Sequence, residues 1–402
     1  MIQPFLKAVP LLTELENAGY EAYFVGGAIR DYLLDRSIAD VDIATSAKPA
    51  EVKSVFSNTV DIGIEHGTVL VLFKGTPYEL TTFRTEAEYS DFRRPDKVTF
   101  VRSLTEDLRR RDFTMNAIAM DRGGSIIDPF DGRKAISERK IETVGAAADR
   151  FSEDALRMLR ALRFVSQLSF EIEAETLKAL TRLAPLMANI AVERKTAEFE
   201  KLLTGKSRCQ SIELLINTEV YKYMPGIAGF KNNLVKLSHQ PCSDLSNMEM
   251  WLLLLHYLEL GQQESESFLR EWKLPSKKIK TLLHHQVWLK YRLENEWSPL
   301  SLYHSGRVAV RDVERVFHVI RGNPISTEVE WLFSYDALPI KQRSDINVSG
   351  SELIAWFGKP GGPWLKELLG KLETAILQKE LNNNPAEIKE WLAKCNLSSE
   401  KN

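Results

Sequence analysis

The sequence predicts an α+β chain, with a mixed α/β segment over residues 1–147 and an all-helical remainder. Three observations carry this. Short β-forming runs alternate with helical runs through the first part. The β signals almost stop after Ala148. The later helical runs carry start signals, as at Ser349-Gly350-Ser351-Glu352, a capping-box pattern.

Taken in order, Phe5 to Asn17 reads as a helix closed by Gly19, Glu21 to Val25 as a strand and Ala28 to Leu34 as a helix. Val41 to Ala44 is a predicted strand and Pro49 to Phe56 a helix. Val69–Phe73 and Tyr78–Thr82 are predicted to pair through a Gly75-Thr76-Pro77 turn. Glu86 to Asp96 is polar and without period, so a flexible loop is expected there. Asp112 to Met120 and Ser125 to Ile127 read as further short strand material.

Beyond that point Ser152 to Leu168 is predicted as one helix, capped by Ser152, with Glu153 and Asp154 favourably placed in its first turn. Helices are then expected over Glu173–Met187, Glu193–Leu203, Ser211–Glu219, Met248–Leu260 and Ser276–Leu293. Pro275 stands where a helix start tolerates it. Asn382 to Pro385 sets off a last short helix.

The 402 residues allow two or more domains. A net charge of −2 means that any nucleic-acid surface must be a local cluster of Lys and Arg. Lys277, Lys278 and Lys280 form one such group, although a solvated helix face is the better reading of it. Cys209, Cys242 and Cys395 are far apart and odd in number. They fit no zinc spacing or disulfide framework, so a reducing cytosol is expected. Met1 to Pro10 has no basic segment followed by an apolar core, so no signal peptide is expected. The apolar run Met250–Leu255 is far too short to span a bilayer.

Three constellations carry chemistry. In the first, Gly26-Gly27-Ala28-Ile29-Arg30-Asp31 precedes Asp40-Val41-Asp42. Two carboxylates one residue apart on a strand share a face and repel each other unless a cation lies between them. Oxygen ligands suit Mg²⁺, which leaves positions for water and phosphate. Asp40 and Asp42 are therefore expected as metal ligands and catalytic residues, one ion polarising an attacking hydroxyl and another holding a triphosphate. Gly26, Gly27 and Arg30 are expected to hold phosphates. Glu79 either faces this site as a third catalytic carboxylate or is an exposed edge glutamate; strand alternation alone does not choose.

In the second, Asp154 and Arg157 are three apart and adjacent on a helix. A surface ion pair accounts for that spacing. A sharper reading follows from hydrogen-bond polarity: a carboxylate accepts and a guanidinium donates. Cytosine and adenine present an exocyclic amine beside an acceptor nitrogen; uracil and guanine present the reverse. An Asp/Arg pair aimed at the base edge accepts C and A and rejects U and G. Arg160 flanks this face. Arg163 stands half a turn round the helix from Asp154 and is its weakest member by geometry. In the third, Arg109-Arg110-Arg111 runs into Asp112 and Asn116, with Arg111 suited to a triphosphate and the two polar residues to a ribose. Thr114 and Asn116 completing a turn is the alternative.

Together these segments resemble the bacterial class II tRNA nucleotidyltransferases, the CCA-adding enzymes, over roughly the first half of the chain. The family's Gly-Gly-x-x-Arg-Asp turn and metal pair stand at Gly26, Gly27, Arg30, Asp31, Asp40 and Asp42. Its ribose-selecting motif stands at Arg110 to Ala117, and its protein template for CTP and ATP at Glu153, Asp154 and Arg157. Arg160 and Arg163 match further nucleotide-binding arginines. Glu193, Arg194 and Glu198 match the motif that supports the template helix.

The resemblance implies a five-stranded polymerase-β-like head over 1–147, a neck over 148–205, a body over 206–300 and a tRNA-binding tail over 301–402. It implies Mg²⁺-dependent addition of C, C and A from CTP and ATP to the tRNA 3′ end, in the cytoplasm. Bacterial poly(A) polymerases share the main motifs and are the competing reading; Gly63-Ile64-Glu65-His66-Gly67-Thr68-Val69 looks like the CCA-adding form of its segment. His66 is expected to be structural. In the resemblance, the full-length loop at Glu86–Asp96 favours complete CCA addition. No His-Asp dipeptide occurs, so the phosphohydrolase domain of some relatives is not expected. An inactive RNA-binding protein with a degenerate head is the reading from another class.

Overall fold

The computed structural model describes residues 2–87, 97–242, 244–325 and 330–399. The chain divides into two compact units, Met1–Ser238 with Glu271–Lys273, and His239–Arg270 with Leu274–Asn402.

The first unit opens with helix Gln3–Asn17, which carries Pro4 in its first turn and keeps Pro10 inside it. Its Phe5 ring packs 5.0 Å from Phe24 on the first strand. The strands are β1 (Ala22–Val25), β2 (Asp42–Thr45), β3 (Thr59–Gly63), β4 (Thr68–Phe73), β5 (Thr76–Thr82), β6 (Arg84–Ala87), β7 (Lys97–Phe100), β8 (Ala119–Met120), β9 (Ile126–Ile127), β10 (Lys140–Ile141) and β11 (Glu171–Ile172), the last two forming a small parallel pair. A mixed sheet runs in the order β3-β4-β5-β2-β1-β8-β9, and β6 pairs with β7 separately. The five expected strands of the head are thus extended by two short ones. Within the mixed sheet only β2 and β5 run parallel, Ile43 opposite Leu80. Val25, Ala44, Phe83 and Ala119 join Leu104, Leu108 and Val144 in one buried apolar cluster. That packing fixes the sheet against helix Leu104–Arg109, which the sequence reading did not expect although Ser103 caps it by accepting from the Glu106 N–H.

Several local expectations are corrected. β2 starts at Asp42, not Val41, because β1 supplies its last partner at Val25 before turning at Gly26. Asp40 therefore lies in the connecting segment, and strand alternation does not orient it. The β4–β5 hairpin turns at Lys74-Gly75 rather than Gly75-Thr76-Pro77. Both turn residues have positive φ, 48° and 80°, as the tight two-residue hairpin turn demands. Asp112–Met120 is mostly not strand: a 3₁₀ turn at Thr114–Asn116 precedes the two-residue β8. Of the expected loop Glu86–Asp96, the first two residues belong to β6 and residues 88–96 lie outside the described ones.

The predicted helix Ser152–Leu168 is broken. One helix ends at Glu153 and a second runs Leu156–Leu168, with Asp154 extended between them. Ser152 lies inside the first helix and caps nothing. Asp154 accepts from the Leu156 backbone N–H at 3.1 Å, so the carboxylate itself starts the second helix.

The second unit is helical throughout its described residues. It includes the expected Asn247–Tyr257, Ser276–Glu294, Gly350–Phe357 and Pro385–Ser399, and the unpredicted Arg307–Ile320 and Pro363–Leu377. The Ser349 box forms, its Oγ accepting from the Glu352 N–H. Among the described residues no helix is long and apolar enough to cross a membrane.

Candidate active site

Two cavities in the first unit share Asp42. The larger, about 630 Å³, is bordered by Asp40, Asp42 and Glu79. Parallel pairing explains the meeting: Ile43 opposite Leu80 puts Asp42 beside Glu79. β5 lies between β4 and β2, so Glu79 is not on an edge. Asp42 keeps exposed surface but stands in the wall of a cleft. Its carboxyl is raised above the ordinary value, first by partial desolvation and then by the charges of Glu79 and Asp40, against the lowering pull of Arg111. The structure thus gathers crowded carboxylates that a divalent cation would relieve. Among the described residues no three His, Cys, Asp or Glu side chains form a metal group by themselves. A carboxylate pair completed by water and phosphate oxygens is nonetheless a donor set that Mg²⁺ accepts, so the residues fit the ion.

The second cavity, about 480 Å³, is walled by seven arginines and three aspartates, a surplus of positive charge suited to a triphosphate. Every expected nucleotide-binding residue borders it: Gly27, Arg30 and Arg111, then Asp112 and Asn116, then Asp154, Arg157, Arg160 and Arg163. Gly26 (φ 73°) lets the chain pass under Arg111; a Cβ there would meet the guanidinium Nη1 at 3.0 Å. The buried Nε of Arg111 has no hydrogen-bond partner among the described residues.

A continuous polar network fixes the wall. Arg30 donates to Asn116 Oδ1 at 2.8 Å, and Asn116 Nδ2 donates to Asp112 Oδ1 at 3.0 Å. Arg160 donates to Asp112 Oδ2 at 2.6 and 2.8 Å. Burial alone would raise the Asp112 carboxyl, but Arg160 and Asn116 outweigh it and hold the group well below the carboxylate range. Thr114 and Asn116 form a turn, as the alternative reading of that segment expects, and Asn116 also takes part in the network.

Asp154 and Arg157 do not pair with each other. Asp154 is gripped by Arg194 at 2.6 and 3.2 Å, from helix Val192–Leu203. Arg157 is held by Glu153 at 2.5 Å and donates to the Arg150 and Arg110 carbonyl oxygens. One turn beyond Arg194 on the same helix, Glu198 stands 3.0 Å from Arg163 and 3.8 Å from Arg160. Burial lowers the Arg163 guanidinium to about 10, still charged at neutral pH. Arg163 borders the cavity despite its helical-wheel position, because the helix begins only at Leu156 and Asp154 is not on its wheel.

Sequence reasoning missed Phe164 and Gln167, which also line this cavity. Their signal was spacing: Gln167 follows Arg163 and Arg160 round the helix at intervals of four and seven. Arg84 donates to the His66 carbonyl, which leaves that histidine's backbone a structural part. In the second unit Lys278 donates to Asn247 and lies 5.9 Å from the Trp251 ring, so it is tied into its own fold.

Paired carboxylates beside an arginine-walled cavity, on a small mixed sheet with a helical extension, define a nucleotidyltransferase of the polymerase type. Family models agree along the chain. Residues 22–142 match the Poly A polymerase head domain, residues 169–230 the "Probable RNA and SrmB- binding site of polymerase A", and residues 245–392 domain 2 of the tRNA nucleotidyltransferases. The CCA-adding enzyme of Bacillus mycoides (strain KBAB4) is 45% identical over 398 residues, 98% of this chain and 100% of its own length. That of Bacillus licheniformis is 46% identical over 394 residues, 97% of this chain and 98% of its own. The crystal structure of Bacillus stearothermophilus CCA-adding enzyme in complex with CTP superposes with a TM-score of 0.92 at 45% identity, covering 100% of both chains. The chain belongs to the family of CCA-adding enzymes.

Proposed function

We propose that this protein adds C, C and A to the 3′ end of tRNA from CTP and ATP, releasing pyrophosphate, with no nucleic-acid template. The observation that carries the reading is the separate anchoring of Asp154 and Arg157 on the wall of an arginine-rich cavity that shares Asp42 with the carboxylate cleft. An acceptor and a donor, each held by its own partner, form a fixed pattern that cytosine and adenine complement.

In this reading Arg30 and Arg111 bind the triphosphate over the bare backbone of Gly26 and Gly27, and Asp112 with Asn116 orients the ribose side of the cavity. Asp40, Asp42 and Glu79 are the catalytic acids; Asp40 and Asp42 would hold Mg²⁺, which when bound lowers the cost of charge at the reacting phosphate. Arg160 and Arg163 bind the nucleotide from the helix that carries Arg157. Residues 1–147 act as the head, 148–205 as the neck that chooses the base, 206–300 as the body and 301–402 as the tail that binds tRNA. The place of work is the cytoplasm.

The test is incubation with tRNA lacking its terminal CCA, Mg²⁺ and labelled CTP and ATP. Incorporation of two C and one A is expected. Long A tails on generic RNA without use of CTP would instead indicate a poly(A) polymerase, and tRNA binding without turnover an inactive binding protein.

A further inference from the structure

Phe164 touches none of the reacting groups assigned above, yet three of the cavity's arginines converge on its ring. The guanidinium carbon of Arg163 is 4.1 Å from the ring centroid, that of Arg30 5.0 Å and that of Arg160 5.8 Å. The ring borders the cavity while being only 3% exposed. Phe113 holds it from beside, edge to face at 5.7 Å and 88°.

Each arginine pairs with a carboxylate, Asp31 for Arg30, Asp112 for Arg160 and Glu198 for Arg163, and Glu198 also stands 3.8 Å from Arg160. The ring is the group common to all three. The guanidiniums repel one another, and Arg30 and Arg160 each lower the Arg163 value by their charge. A fourth carboxylate would draw them together, but it would also neutralise the site and repel a triphosphate. An aromatic face attracts cations through its quadrupole and adds no net charge. It also leaves guanidinium N–H groups free to donate to a ligand.

We propose that Phe164 is a positioning residue for the incoming nucleotide, a neutral hub that gathers Arg30, Arg160 and Arg163 into one receptor for the nucleoside triphosphate. This rests on the nucleotidyl-transfer reading above. The hub acts on binding and not on base choice, because Asp154 and Arg157 are anchored elsewhere.

The test replaces Phe164 with ring-fluorinated phenylalanines, which keep its shape while weakening the quadrupole, and measures CTP and ATP KM, kcat and equilibrium binding of CTP. KM for both nucleotides should climb with each fluorine. Phe164→Leu should raise KM about 5- to 30-fold, the equivalent of ~1–2 kcal/mol, with a much smaller change in kcat and unchanged rejection of UTP and GTP. Phe164→Tyr should restore most of the affinity. A flat KM and flat CTP affinity across the fluorinated series, or loss of base discrimination with KM unchanged, would overturn the hub. Thermal melting of the near-isosteric fluorinated variants controls for folding. Wild-type protein separates the two readings: if it binds and incorporates CTP normally and the series is flat, the hub alone falls; if it binds no nucleotide, nucleotidyl transfer falls and the hub with it.

Discussion

Asp42 and Asp112 carry the same carboxyl group into opposite surroundings. Asp42 is partly desolvated beside other carboxylates and is destabilised as an anion; Asp112, although buried, meets Arg160 and Asn116 and is stabilised as one. Asp42→Asn should lower incorporation of both C and A by at least ~10²-fold, since a charge acting on the transition state is lost. The same change should not lower the Tm in the presence of a chelator, because it relieves a repulsion; calorimetry with EDTA checks this. Asp112→Asn should do the reverse to stability. Its carboxyl lies below the unfolded value, so its contribution is present above the ordinary carboxylate range and is lost as pH falls toward the folded value. The variant should lose about 2–3 kcal/mol at pH 7, less than a fully buried pair because Arg160 keeps 33% of its side-chain surface. That gap should narrow below about pH 4 in urea titrations. The acids and arginines of the site were legible from sequence because their chemistry is carried by residue type and local order. Their pairing was legible only through the family resemblance, which marked Arg194 and Glu198 as support for the template helix; no local order near Asp154 shows that its cation is Arg194, forty residues on.

At the scale of elements, the interruption between Glu153 and Leu156 turns Asp154 from a helical residue into a freestanding group that both starts a helix and faces a cavity. Helix Val192–Leu203 then serves it through Arg194 and serves Arg163 and Arg160 through Glu198. Arg194→Met, which keeps length but not charge, should leave catalysis with CTP largely intact and reduce discrimination against UTP about 10- to 100-fold, as expected for losing a charged hydrogen bond. Competition between labelled CTP and UTP measures it. The helices of the second unit with marked starts, such as Gly350–Phe357 after Ser349, could be read from their caps. The break at Asp154 could not, because Ser152-Glu153-Asp154 satisfies the helix-start rules while tertiary contacts decide the outcome. The Lys74-Gly75 turn was misplaced for a related reason: a lysine with positive φ is tolerated only because the paired strands impose it.

For the molecule as a whole, an α/β unit followed by helices followed from where the β signals end, and the order of the strands did not. Period and propensity mark each strand, but only long-range pairing puts β2 beside β5 and so Asp42 beside Glu79. The near-zero charge of the chain conceals a strongly positive cavity, since seven arginines are concentrated there by folding.

The grip of Arg194 on Asp154 has a final consequence. The acids proposed to perform the chemistry lie on or just before strands completed before residue 83, whereas the proposed arbiter of which letter is written depends on a helix that docks much later in the chain. Loosening that docking should corrupt the message before it silences the scribe. Under mild urea, erroneous UMP at tRNA ends should therefore appear at concentrations where CMP is still being joined at nearly its full rate.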